Sequence, residues 1–273
     1  MSASTADENA RVDTPGPGGG RKIVIVMPAY NAASTLEDTV RLIPAGYADE
    51  VIVVDDASLD ATLTVASTLD VTTLPLPHNV GYGGNQKSCY LEALRHGADV
   101  VVMLHPDGQY DPELIPRLVQ PILDGEADMV LGSRLAAGAS AARAGGMPWW
   151  KLAANRFLTT TENTVLGTGF SELHTGYRAY SRGFLESVPF LRNSNDFVFD
   201  SEVIVQSVAY GQRVVEVPVP TRYFPDASSI NFRVSAVYGM KTLWTLARYA
   251  RHRAGLGSAP FLRPVRRTPR PEA

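Results

Sequence analysis

Short runs of aliphatic and β-branched residues recur along this chain, and each stops at a polar turn that leads into a helix-forming segment. Ile23-Val24-Ile25-Val26-Met27, Val51-Ile52-Val53-Val54, Val71-Thr72-Thr73-Leu74, residues 99–104 and Met129-Val130-Leu131-Gly132 all read this way. Hydrophobicity that is continuous rather than alternating marks strands covered on both faces. Parallel strands need a crossover between them, usually a helix. The pattern therefore predicts an α/β chain with a mostly parallel, doubly wound sheet. Pro28 is expected to end the first strand. Helices are expected over 34–43, where Ser34 and Glu37 have the spacing of a capping box, and from Ser58 to about Leu69. Others run from the glycine loop to about His96, from Pro112 to before Gly125, over 148–166, and over 233–253 as an amphipathic helix. Residues 214–219 alternate as a further strand before Pro220.

The chain has 273 residues, 45% of them hydrophobic and 19% charged, enough for a substantial core. A formal net charge of -3 provides no whole-chain field for nucleic acid. Cys89 is the one cysteine, which excludes an intrachain disulfide and points to the cytoplasm. No run of apolar residues is long enough to span a bilayer. Residues 1–20 are polar, end in Pro15-Gly-Pro-Gly-Gly-Gly20 and read as a disordered leader. The catalytic domain is expected over 21–235, and an amphipathic helix with a basic Pro- and Arg-rich tail over 236–273. The small-residue span 136–147 reads as a mobile loop, and the last twenty residues as disordered.

Acids at the carboxyl ends of parallel strands are where such sheets place their ligands. Asp55 and Asp56 follow the second strand, and read first as caps of the helix near Ser58 and second as acceptors for a base or ribose. Pro28 and Tyr30, after the first strand, could line a base pocket. The glycine loop 78–87 lacks the triphosphate-loop and dinucleotide spacings. It reads equally as a tight turn and as a helix start that offers amides and Lys87 to a diphosphate. In His105-Pro-Asp107-Gly-Gln109, the carboxylate and amide supply oxygen ligands for a hard divalent cation, or simply form a turn. Arg134, Arg143, Arg178 and Arg222 fall at element ends or in loops, where arginine can hold a phosphate. Glu172, His174, Asp200 and Glu202 interrupt apolar surroundings. His174 by itself reads as a structural histidine.

Taken in order, these segments resemble the family-2 glycosyltransferases with the Rossmann-like A-type nucleotide-sugar fold, and among them the polyprenyl-phosphate sugar transferases. The resemblance spans about residues 22–235. It rests on Val-Met-Pro-Ala-Tyr-Asn31, Val-Val-Asp55-Asp56-Ala-Ser58, Asn79-Val-Gly81-Tyr-Gly83-Gly84, Asp107-Gly-Gln109-Tyr-Asp-Pro, Gly132-Ser-Arg134, Thr175-Gly176-Tyr-Arg178-Ala-Tyr-Ser-Arg182 and Phe199-Asp200-Ser-Glu202. It implies a hexosyltransferase that uses a nucleoside-diphosphate sugar and a polyprenyl-phosphate acceptor, with inversion. Pro28, Tyr30, Asp55, Asp56 and Lys87 would then meet the nucleotide. Asp107 and Gln109, with His105, would hold Mg²⁺ or Mn²⁺. Arg134, Arg143 and Arg178 would meet the acceptor phosphate, and Asp107, Arg134, Glu172 and Glu202 would serve the reaction centre.

The sequence departs from that family at several points. His105 stands where the family's first metal aspartate would be, which suits Mn²⁺ somewhat better than Mg²⁺. Ala32 replaces an acid, and Glu172 replaces an aspartate. The membrane helices of many relatives are missing, so membrane contact would be peripheral, through Trp149, Trp150 and the arginines at 248, 251, 253, 263, 266, 267 and 270. The competing reading of both tryptophans is core, and of the tail a solvated end. The alternative functions are a soluble transferase acting on a saccharide or natural-product hydroxyl, and a degenerate sugar-nucleotide-binding module. A nucleotidyltransferase would need a glycine- and lysine-rich loop at the first strand, where Pro28-Ala-Tyr-Asn31 stands.

Overall fold

The computed structural model describes residues 18–138, 143, 146–220 and 232–264. Its strands are β1 (Ile23–Ala29), β2 (Glu50–Asp55), β3 (Thr72–Pro75), β4 (Val100–Met103), β5 (Met129–Ser133), β6 (Arg178–Ser181) and β7 (Val214–Pro218). They form one sheet in the order β3-β2-β1-β4-β6-β5-β7. Every pairing is parallel except those of β6, which runs antiparallel to both β4 and β5. The helices are α1 (Leu36–Arg41), α2 (Thr62–Ala66), α3 (Tyr82–Arg95), α4 (Ile115–Leu123), α5 (Trp149–Leu166), α6 (Arg182–Ser187), α7 (Phe199–Ala209) and α8 (Phe232–Arg253).

Strand side chains alternate between two apolar layers, as the pleat requires. Val24, Val26, Ile52, Val54, Val101 and Met103 pack on the layer with α3 and α7. Ile23, Ile25, Met27, Val53, Val100 and Val102 pack on the other, with α1 and α4. Burial on both faces is why these runs are continuous in sequence.

Several local expectations change. β1 runs through Pro28 to Ala29 rather than stopping before the proline. The missing proline amide removes one ladder donor near the strand's end, which an otherwise paired strand tolerates. Ser34 does not cap α1: Thr35 occupies that position without a side-chain cap, and its hydroxyl donates instead to Pro106 O. α2 begins at Thr62, because Ser58–Asp60 are held in a turn by Asp55 and Asn31. Strand β6 and helix α7 were not expected. β6 has only four residues and opens on an arginine. α7 is buried nearly all round from Phe199 to Ser207, so it shows no amphipathic period.

The C-terminal segment is not a free tail throughout. Ala259, Phe261 and Leu262 are buried, and Gln206 Nε2 donates to Phe261 O at 2.7 Å. A boundary at 235/236 would cut α8, which packs on α5 and α7. Residues 1–17, residues 139–142, 144 and 145 of the 136–147 loop, Arg222, Arg266, Arg267 and Arg270 lie outside the described residues.

Candidate active site

The carboxyl ends of β1, β2 and β4 open on one edge of the sheet, the usual ligand position in such folds. Tyr30, Asp56, His105, Asp107 and Gln109 line one side of a cavity of about 770 Å³ there, and Arg134, Lys151, His174, Asp200 and Tyr238 close the other.

At one end Tyr30 is half exposed. Asn31 N donates to Ser58 Oγ, and Leu59 N donates to Asn31 Oδ1, both at 2.9 Å. This crosslink joins the loops after β1 and β2, with Asn31 at φ +51° and Ala57 at φ +57°. Positive φ at Ala57 is strained for a residue with a Cβ. Beside it, the Asp56 carboxylate accepts from Val80 N at 2.6 Å and Gly81 N at 3.1 Å.

In the middle, His105 stacks on Tyr82 with centroids 5.5 Å apart. Its Nε2 lies 3.3 Å from the Tyr82 hydroxyl, which donates to Asp200 Oδ2 at 2.8 Å. Gln86 Nε2 donates to Asp200 Oδ1 at 3.2 Å, and Arg178 Nη1 lies 3.4 Å from the same oxygen. Burial pushes the His105 imidazole below its ordinary range, against the pull of Asp107 and Asp200. A Cβ on Gly176 would lie 2.8 Å from His105 Nε2, so the glycine makes room for this ring. On the turn that follows, Asp107 Oδ1 accepts from Gln109 N at 3.0 Å.

At the far end Arg134 reaches the cavity with Glu172 behind it. Asn155 Nδ2 also donates to Glu172 Oε1, at 2.7 Å. Burial alone would raise the Glu172 carboxyl, but the Arg134 charge and the hydrogen bonds from Arg134 and Asn155 hold it below the usual carboxylate range. Lys151 lies nearby, and burial together with Arg134 lowers its ammonium. Arg134 and Lys151 together put two cations at this end of the cavity.

Residues 24–188 match the family described as Glycosyl transferase family 2. The chain belongs to this family. The glycosyltransferase is 29% identical over 207 residues to the polyprenol monophosphomannose synthase of Mycolicibacterium smegmatis, covering 73% of this chain and 77% of that one. It is 30% identical over 208 residues to the undecaprenyl-phosphate mannosyltransferase of Micrococcus luteus, covering 72% and 82%. Glucosyl-3-phosphoglycerate synthase from Mycobacterium tuberculosis, solved with Mn²⁺, uridine diphosphate and phosphoglyceric acid, superposes with a TM-score of 0.64 at 19% identity, over 85% of this chain and 79% of that one. That last likeness is one of fold.

In the glycosyltransferase, Pro28, Tyr30, Asp56, His105, Asp107, Gln109 and Arg134 share the cavity. Other expected site residues stand behind its wall. Asp55 is buried, and its Oδ2 accepts from Ser58 N at 3.0 Å, a turn role. Lys87 does not extend toward a nucleotide: its Nζ donates to Asn193 O and, at 2.6 Å, to Asn195 Oδ1. Glu172 is fully buried beneath Arg134. Glu202 is buried too and accepts from Ser194 N at 2.6 Å and Ser194 Oγ at 3.2 Å. Burial pushes its carboxyl up. Arg178 is fully buried, donating to Thr175 O at 2.7 Å and Leu173 O at 3.3 Å, so its guanidinium holds the wall rather than an acceptor. Arg143 is exposed and does not line the cavity.

The glycine loop also has a different use. Gly83 N donates to Asn195 O at 2.8 Å, and Gly81 N to Asp56, so protein oxygens take these amides rather than a diphosphate. A Cβ on Gly83 would sit 2.5 Å from Ser194 O and 2.7 Å from Phe199 Cβ. The glycines admit the 194–199 segment against the start of α3. Lys87 and Glu202 then fasten that segment from either side. Sequence reasoning missed Tyr82, Lys151 and Tyr238 as cavity residues. Tyr82 lay within the glycine motif, but nothing in the sequence joined it to Asp200, 118 positions away.

The donor set fits a divalent cation completed by a diphosphate. Asp107 and the Gln109 amide offer oxygens, and His105 Nε2 lies against the Tyr82 hydroxyl. Among the described residues no three His, Cys, Asp or Glu side chains converge to hold an ion unaided. A partial shell finished by substrate phosphate and water is the usual form for Mg²⁺.

Proposed function

We propose that this glycosyltransferase moves a hexose from a nucleoside-diphosphate sugar to a polyprenyl phosphate, with inversion. The observation that carries the reading is one cavity lined by an acid-bearing turn at Asp107, by Tyr30 and Asp56, and by the cations Arg134 and Lys151. Relatives named for mannosyl transfer to polyprenol and undecaprenyl phosphate support it. Asp107, with Gln109 and His105, would hold Mg²⁺ or Mn²⁺, which when bound neutralises a departing diphosphate. Tyr30 stacks on the base, and Asp56 fixes the loop beneath the ribose. Arg134 and Lys151 orient the acceptor phosphate opposite the leaving group. A phosphate nucleophile is already ionised near neutral pH, so it needs positioning more than a base.

Membrane contact would be peripheral. No helix among the described residues is long and apolar enough to cross a bilayer. Trp149 on α5 and Met240 and Trp244 on α8 are exposed, with Arg251 and Arg253 further along α8. Such an apolar row with a basic end suits an anionic lipid interface. Trp150 lines the cavity instead, and Arg248 lies over the Phe261 ring, 4.7 Å from its centroid.

The test combines labelled UDP-, GDP- and dTDP-hexoses with Mn²⁺ and a short polyprenyl phosphate, followed by organic extraction. Labelled lipid is expected. Label that reaches only a saccharide hydroxyl overturns the lipid acceptor and favours the soluble-transferase reading. In that case Asp200, the acid on the far wall, would be the candidate base.

A further inference from the structure

A buried carboxylate on α5 backs the acceptor end of the cavity. Glu162 is fully buried, and its Oε2 lies 2.9 Å from His174 Nε2. The approach is close but outside hydrogen-bond alignment, and among the described residues neither Glu162 oxygen has another polar partner. On the ring's other side, His174 Nδ1 lies 2.7 Å from the Tyr238 hydroxyl on α8. That hydroxyl lies 3.1 Å from Ser201 Oγ, which lies 3.1 Å from Thr242 Oγ1. His174 and Tyr238 line the cavity, and Glu162 does not.

An ionised carboxylate in such a place is costly unless it is paired. Pairing with His174 puts a proton on Nε2, and the partner of one ring nitrogen sets what the other can do. Where Nδ1 is the donor in its 2.7 Å contact, the Tyr238 oxygen accepts from the ring. Its own proton then turns away from His174, toward Ser201 or toward an anion in the cavity. Burial, and next the Glu162 charge, push the Tyr238 phenol up, so it remains a donor at neutral pH. The cations around His174 are set against the carboxylates of Glu162, Glu172 and Asp200. Arg134 Nη2 donates to His174 O at 2.7 Å, and Arg178 holds the flanking carbonyls of Leu173 and Thr175. Lys151 stands beside Arg134, while Asp200, next to Ser201, is paired with Arg178.

We propose that Glu162, His174 and Tyr238 form a relay that aims the Tyr238 hydroxyl at the acceptor's phosphate. Tyr238 touches the acceptor; Glu162 and His174 are positioning residues. The relay rests on the acceptor class proposed above.

Calorimetry on the full chain tests it, with farnesyl phosphate as the acceptor probe and a nucleoside diphosphate with Mn²⁺ as the donor-side probe. Tyr238→Phe and Glu162→Gln, each nearly isosteric, are expected to raise the Kd for farnesyl phosphate roughly tenfold, the loss of one hydrogen bond to a charged group. Diphosphate affinity should be unchanged. The ring ¹⁵N resonances of His174 should shift in Glu162→Gln, which a merely space-filling glutamate would not cause. Equal farnesyl phosphate affinity in wild type and variants overturns the relay alone, as does a matching loss of diphosphate affinity. A wild-type protein that binds the diphosphate and no farnesyl phosphate overturns the acceptor reading itself.

Discussion

Glu172 holds Arg134 by both backbone and side chain, yet only Arg134 reaches the cavity. Arg134 N donates to Glu172 Oε2 at 2.7 Å and Nε donates to Oε1 at 2.8 Å, with Nη2 on Oε1 as well. The glutamate is fully buried, so its charge is tolerable only with that partner.

Removing the carboxylate should therefore act on both stability and acceptor binding. Glu172→Ala is expected to cost about 3–5 kcal/mol, because it strands a charge and the four donors from Arg134 and Asn155. Glu172→Gln should cost less but still raise the acceptor KM more than the donor KM. Urea denaturation and steady-state kinetics check both, and an equal rise in the two KM values would detach Arg134 from the acceptor.

The same pair sets an acid limit. The folded-state pKa of Glu172 lies below its ordinary 4.5. A depressed carboxyl binds fewer protons folded than unfolded, so its stabilisation is full above the unfolded value and is lost as pH falls through the folded one. Below about pH 4.5 the wild type should lose stability more steeply than Glu172→Gln. Denaturation midpoints taken down that range check it; parallel curves would contradict the assignment.

Asp107 stands on a turn, where its Oδ1 accepts from Gln109 N. Asp107→Ala should abolish metal-dependent transfer and leave the unfolding midpoint within about 0.5 kcal/mol of wild type. Full turnover in the variant would remove Asp107 from the site.

Gly83 faces backbone and a Cβ at distances no side chain accommodates. Gly83→Ala should cost about 1–3 kcal/mol by pushing the 194–199 segment off α3. Thermal denaturation measures the cost. A variant as stable as the parent would mean that the loop has room to move.

Truncation should separate the two halves of the C-terminal segment. Ending the chain at Arg253 removes the buried Phe261 and Leu262 and should destabilise the protein. Ending it at Pro264 keeps them. Any loss of sedimentation with anionic liposomes in the longer form, at unchanged stability, then reports on membrane contact.

The parallel strands, their crossover helices and the acid-bearing turns after β2 and β4 were legible in the sequence. Each is a local pattern: continuous apolar runs, a proline or glycine stop, a polar end. Strand β6 and helix α7 were not legible. One is short and arginine-led, and the other is covered on every side, so neither shows a period. The same limit applied to the site. Asp107 and Asp56 do line the cavity, because strand ends point at the crevice by geometry alone.

Chain order and residue chemistry by themselves settled the α/β class, the sheet's open edge and the acids that face it. Only tertiary packing decided which polar groups meet solvent and which meet each other. Lys87, Glu172, Arg178 and Glu202 have the right chemistry for a ligand, but each meets a protein partner brought in by the fold: Asn195, Arg134, Asp200 and Arg248 respectively. A buried charge takes the nearest complementary group, and which group is nearest is set by the three-dimensional path of the chain.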